Sequence, residues 1–274
     1  MSTRMTVEVD GQEASYLTAG EQGPMVLLLH GTYWSRVWQP VLDELAAAGL
    51  RPVAVDLPGL GRSEGELTLQ TAAVPALASW VTRFAAALGA TGPLGVAGHD
   101  IGGAIAQQLL ADSELEVDRL ALINAVTYDS WPVPGVARYR DPAVVAATSV
   151  DELLAARRTS LTTALARPAD EAEIADYLSP WHDPRVARSW MALAGAADSR
   201  YTLDLVTALR ADDTPKLLVW GADDTFQEIR YAQRFAAEMP NTTLVAIPAA
   251  GHIPMENEPD TVARALAEFF LAAS

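Results

Sequence analysis

Short apolar runs alternate with helical windows over the first 126 residues, and this alternation is what most narrows the folds open to the chain. Met25–Leu29 is an apolar run that ends at His30-Gly31, as a buried strand would. Trp38–Ala48 has helical spacing and stops at Gly49, and Pro52–Val55 is strand-like again before the turn-rich Asp56–Gly65. Leu67–Leu88 reads as a long helix bent at Pro75. Leu94–Ala97 predicts a strand, Ile101–Ala111 a helix and Leu120–Ile123 another strand. Before them, Thr6–Val9 and Ser15–Thr18 predict a hairpin around Asp10-Gly11. Alternation of this kind implies an α/β fold, a mostly parallel sheet with helices on both faces. Its ligand site then lies along the edge reached by the carboxyl ends of the strands.

The pattern breaks at about Thr127 and resumes at about Pro215. Helical windows near Val150–Arg167 and Asp170–Leu178, with Trp131, Tyr139, Tyr177, Trp181, Trp190 and Tyr201, predict a helical insertion over the sheet edge. The expected division is a core of residues 1–126 and 215–274 with a helical cap over 127–214. Lys216–Trp220 and Leu244–Ile247 are the returning strands, each followed by a helical window and the last ending in Pro259–Leu271.

Composition excludes several chemistries. The 274 residues include no cysteine, so disulfides, thiolate metal sites and cysteine nucleophiles are ruled out. The 35 acidic against 19 basic residues give a net charge of -16, which disfavours nucleic acid and anionic membranes as partners. Met1–Asp10 lacks the apolar stretch of a signal peptide, so a cytoplasmic location is expected. The four histidines are scattered, and no metal or organic cofactor is expected.

The residues that carry chemistry each follow a strand. Gly98-His99-Asp100-Ile101-Gly102-Gly103 closes one strand and opens a helix, with glycines two before and two after Asp100. Small flanking residues permit a strained turn that lifts the middle side chain above the sheet edge, the geometry of a nucleophile elbow. An N-cap aspartate among close-packing glycines would leave the same local pattern. Gly221-Ala222-Asp223-Asp224 and Gly251-His252 follow the two later strands, giving the order elbow, acid, histidine.

At this point the chain resembles the α/β-hydrolase superfamily over nearly its whole length, in the branch with an aspartate nucleophile. His30-Gly31 is similar to the family's oxyanion-loop motif, Asp56–Ser63 to its next loop, Gly98–Gly102 to the elbow, Gly221–Asp224 to the acid turn and Gly251-His252 to the histidine loop. The resemblance implies a triad of Asp100, His252 and Asp224, with backbone oxyanion donors at Thr32 and Ile101. Asp224 is preferred over Asp223 because the family's motif places the acid three residues after the glycine. An ionised carboxylate can attack saturated carbon directly and form an alkyl-enzyme ester. Histidine-activated water then hydrolyses the ester.

The substrate expected first is an epoxide, opened to a diol. Hydrolytic dehalogenation is the alternative, followed by ester or lactone hydrolysis or a ligand-binding role without turnover. Tyr201 and Tyr139 are the candidate ring-opening acids. Trp34 and Trp38, flanking the oxyanion loop, are candidate halide donors, and His30 is a further site candidate. Ile101 departs from the tryptophan typical of haloalkane dehalogenases and from the arginine typical of fluoroacetate dehalogenases. Tyr33 departs from the proline usual in epoxide hydrolases. The expected partner is a small-molecule substrate.

Overall fold

A computed structural model describes residues 1–112 and 114–272. Eight strands form one sheet in the order β1-β2-β4-β3-β5-β6-β7-β8. They are β1 (Thr3–Val9), β2 (Gln12–Thr18), β3 (Met25–Leu29), β4 (Arg51–Val55), β5 (Leu94–Asp100), β6 (Val117–Ala125), β7 (Lys216–Gly221) and β8 (Thr242–Ile247). β1 and β2 pair antiparallel, as do β2 and β4, and all other neighbours are parallel. The hairpin turns on Asp10 and Gly11, both at positive φ, which suits an Asp-Gly pair.

The core helices are α1 (Gln39–Ala47), α2 (Val74–Ala87) and α3 (Ile101–Asp112). The expected helix over 67–88 is shorter than the periodicity suggested. Residues 67–73 form turns, with Thr68 and Thr71 bonded to each other, and α2 begins at Val74. Pro75 therefore sits in the first helical turn, where its missing N–H costs nothing, and no interior bend arises.

Between β6 and β7 run α4 (Pro134–Ala137), α5 (Pro142–Ala147), α6 (Val150–Leu165), α7 (Glu171–Leu178), α8 (Pro184–Ala196), α9 (Arg200–Leu203) and α10 (Val206–Ala211). The helix α6 starts in a capping box, with Ser149 and Glu152 each satisfying the other's backbone N–H. After β7 follow α11 (Ile229–Glu238), α12 (Pro254–Asn257) and α13 (Pro259–Leu271). No helix among the described residues is long and apolar enough to cross a membrane.

The segment between β6 and β7 is tied to the rest by charge as well as by packing. Glu256, just past the histidine loop, accepts from Arg36 Nη1 at 2.7 Å, from Arg167 Nη2 at 3.0 Å and from the Tyr177 hydroxyl at 2.7 Å. Arg36 also donates to Asp176 on α7 at 2.6 Å. Charges shared among several partners and partly withdrawn from water hold better than an isolated surface pair.

Candidate active site

β5 occupies the middle of the sheet and is buried along its whole length. Its small residues are required by what lies against them. A Cβ on Gly98 would stand 2.3 Å from the Gly102 carbonyl oxygen, and one on Gly102 would stand 2.3 Å from the Leu29 carbonyl oxygen. Strand and helix can therefore meet at a sharp corner, and Asp100 sits on that corner at φ 55°. Such backbone is costly for a residue with a side chain and survives only where its surroundings enforce it.

Asp100 is 6 % exposed and lines a cavity of about 460 Å³. Its Oδ2 accepts from the Thr32 backbone N–H at 2.9 Å and from the Thr32 hydroxyl at 2.7 Å. Gly31 makes this approach possible, since a Cβ there would lie 2.4 Å from the Ile101 nitrogen. Ile101 is the first residue of α3, so its N–H has no acceptor within the helix.

His252 faces Asp100 across a gap of 3.9 Å from Nε2 to Oδ2, too long for a direct hydrogen bond. Its Nδ1–H donates to Asp224 Oδ2 at 2.8 Å, which leaves Nε2 turned toward the elbow. Asp224 is held in turn by the Asn124 side chain at 2.8 Å and the Phe226 N–H at 2.7 Å. Asn124, near the end of β6, carries no carboxylate and thus supplies a donor to the acid after β7. Asp223 has no place in this chain of contacts: its backbone N–H bonds Ala250 instead.

Burial alone would raise the pKa of Asp100, but the facing His252 and the nearby His99, with the Thr32 N–H, hold it well below the usual carboxylate range. Asp224 behaves likewise, burial being outweighed by the charge and hydrogen bond of His252. For His252 burial acts downward, yet Asp224 and Asp100 together lift it well above the ordinary histidine value. His99 is pushed down to about 4 by burial and the charge of His252. Its Nε2–H donates to the His252 carbonyl at 2.8 Å, so a neutral ring behind the elbow braces the histidine loop.

The remaining sequence candidates separate clearly. His30 is fully buried and ties two loops together: the Leu57 N–H, after β4, donates to its Nε2 at 3.0 Å and its Nδ1–H donates to Gly31 O at 2.9 Å. It shapes the loop that carries Thr32 and is not among the described residues lining the cavity. Trp34 donates its indole N–H to the Tyr177 carbonyl at 3.0 Å. Trp38 is fully buried, edge-on to His99. Neither is among the described lining residues, so the placement expected of a halide donor does not hold for either. Tyr201 also falls outside the lining, packed partly buried against the core. Tyr139 does line the cavity, buried, and its hydroxyl accepts from Arg138 Nη2 at 2.7 Å. Of the two tyrosines, Tyr139, on a turn that packs on α8, shares the cavity with Asp100, and Tyr201 on α9 does not.

Several lining residues were not among the site candidates expected from the sequence. Tyr33, Arg157 and Trp190 join Asp100 and His252 around the cavity. Arg157 Nη2 and Trp190 Nε1 both donate to the Thr32 carbonyl, at 2.8 and 2.9 Å. Two helices of the inserted segment, α6 and α8, thereby fix the loop whose N–H contacts Asp100. Gln227, beyond the acid turn, also lines the cavity, and its Oε1 is buried without a partner among the described residues.

A mostly parallel sheet that brings an acidic corner residue, a histidine loop and the loop at Thr32 to one edge is the architecture of the α/β-hydrolase fold. The alpha/beta hydrolase family pattern matches residues 26–265, and the chain belongs to that family. It is 28% identical over 295 residues to the soluble epoxide hydrolase of Corynebacterium sp. (strain C12), covering 98% of this chain and 99% of that protein. It is 28% identical over 265 residues to the pimeloyl-acyl-carrier-protein methyl ester esterase of Pectobacterium atrosepticum, covering 89% and 92%. The crystal structure of haloalkane dehalogenase DbeA from Bradyrhizobium elkani USDA94 superposes with a TM-score of 0.81 at 23% identity, covering 98% of both chains. The last likeness concerns the fold alone.

Proposed function

We propose that this hydrolase opens an epoxide to a diol through a covalent ester on Asp100, with residues 127–214 forming a cap over the site. An Asp100 carboxylate oxygen attacks a ring carbon, the carbon–oxygen bond breaks, and the departing oxygen takes a proton from a phenol. The Tyr139 hydroxyl serves as that acid, with Tyr33 on the same wall. The product of this half-reaction is a hydroxyalkyl ester.

Water then attacks the ester carbonyl carbon as His252 Nε2 removes its proton. The Thr32 and Ile101 N–H groups stabilise the oxyanion; collapse of the tetrahedral species expels the alkoxide, which takes the proton held by His252 to give the diol, and the proton left on the Asp100 carboxyl group returns to the Tyr139 phenolate, restoring both groups. Asp224 orients the imidazole and balances the imidazolium. The two halves are coupled electrostatically. Ester formation removes the charge of Asp100, one of the two groups that raise the His252 pKa. His252 thus becomes easier to deprotonate at the moment a base is needed.

The observation that carries the epoxide reading is the company Asp100 keeps. Two tyrosines, Tyr33 and Tyr139, line its cavity, while both lining indoles are committed to protein acceptors, Trp131 to Thr202 and Trp190 to Thr32. An alkoxide needs a proton donor, whereas a halide needs uncommitted N–H groups. Dehalogenation is the second reading, since an ionised Asp100 can displace a halide by the same attack on saturated carbon.

A single turnover in ¹⁸O-water tests the pathway. Label is expected in the Asp100 carboxyl group, with the first diol molecule unlabelled by solvent. Solvent label in that first diol would mean direct attack by water and would exclude the ester.

A further inference from the structure

In a chain with a net charge of -16, the described residues lining the cavity include two arginines, Arg138 and Arg157, and only one carboxylate, Asp100. The local balance runs against that of the whole molecule, so it calls for a specific reason. Arg138 is accounted for in part by its bond to the Tyr139 hydroxyl.

Arg157 is not. It comes from α6, is 4 % exposed, and forms no ion pair with any described residue. Its Nη2 donates to the Thr32 carbonyl, and its Nε is buried with no partner among the described residues. Its guanidinium lies 4.6 Å from the ring centres of Tyr33 and Trp190 and 5.2 Å from that of Trp181. Aromatic faces offset only part of the cost of burying such a cation, which ordinarily requires a facing carboxylate. A guanidinium in this state is a preorganised fork for an anion, and its planar donors match a carboxylate better than a spherical ion.

We propose that Arg157 forms a carboxylate-binding subsite of the cavity, and that the substrate is an epoxide bearing a free carboxylate group. This rests on the epoxide reading for the reaction, but the subsite itself does not depend on the chemistry at Asp100. The apolar and aromatic walls then accept the body of an epoxy acid, with its acid end at Arg157 and its ring at the elbow.

The probes are phenylacetate and its neutral isostere phenylacetamide, titrated calorimetrically into the intact protein. Phenylacetate is expected to bind roughly tenfold to a hundredfold more tightly, as charged hydrogen bonds in a buried site allow. Asp100→Asn, which cannot form an ester and lacks the repelling charge, is expected to keep or enlarge that preference. Arg157→Met and Arg157→Gln are expected to abolish it while leaving phenylacetamide affinity nearly unchanged, and Arg138→Gln to retain it. Equal affinity for acid and amide in the wild type overturns the subsite without recourse to any variant. So does a preference that survives in a folded Arg157 variant, and so does displacement of phenylacetate by equimolar bromide, which would indicate a halide cradle. Failure of the ester chemistry reads out separately: acid-selective binding would persist while 3-phenylglycidate leaves no covalent mark on Asp100 of the His252→Gln variant.

Discussion

At the scale of single residues, the site is a set of charges whose values depend on one another. Asp100 is held ionised by His252 and by Thr32, against the upward pull of burial. On the proposed pathway such a carboxylate attacks without a base, and His252 is left for the water. Two phenols compete for the acid role by position, and the cavity selects between them. Tyr139 shares the cavity with Asp100, and Tyr201 does not. Tyr139→Phe is therefore expected to lower epoxide turnover by about a hundredfold or more, the usual range for a lost general acid. Tyr201→Phe is expected to remain near wild-type activity. Steady-state kinetics on one epoxide with both variants checks this, and a large loss in the second alone would reverse the assignment.

Among elements, the decisive feature is how closely β5, α3 and β3 approach one another. The Gly102 carbonyl oxygen occupies the space a Gly98 side chain would need. Gly98→Ala is expected to destabilise the protein by about 3 kcal/mol, the upper end of ordinary overpacking, and to reduce activity at temperatures where the fold persists. Thermal unfolding followed by circular dichroism measures it, and an unchanged midpoint would mean that the corner tolerates a Cβ. This corner was legible in the sequence because its glycines flank Asp100 at fixed spacing, and strand ends impose that spacing. The same holds for the loops ending at Thr32, Asp224 and His252. The inserted helices were legible only as helices. Arg157 looks like any basic residue of an amphipathic helix, and its approach to Thr32 depends on how α6 crosses the sheet edge, which no local pattern encodes. For the same reason Tyr201 and Tyr139 could not be ranked before α8 and α9 were placed. The start of α2 at Val74 shows the converse, since Pro75 marked a helix boundary that apolar periodicity overran.

For the molecule as a whole, the buried charges make stability depend on pH in a defined window. His252 has a folded pKa above its unfolded value, so its contribution is fully present below about 6.5 and is lost as pH rises through the folded value. Asp100 and Asp224 have depressed values, so theirs is present above about 4 and is lost as pH falls. The melting-temperature gap between wild type and His252→Gln is thus expected to be widest between about 4 and about 6.5 and to narrow toward alkaline pH. A gap that widens from neutral to alkaline pH would contradict the charge assignment. The most direct measurement of the central claim uses the same variant. His252→Gln retains the nucleophile but not the base, so mixing it with an epoxide should leave a stable mass increase equal to the substrate, mapped by peptide digestion to Asp100. An unmodified Asp100 under conditions where the wild-type enzyme turns over would contradict it.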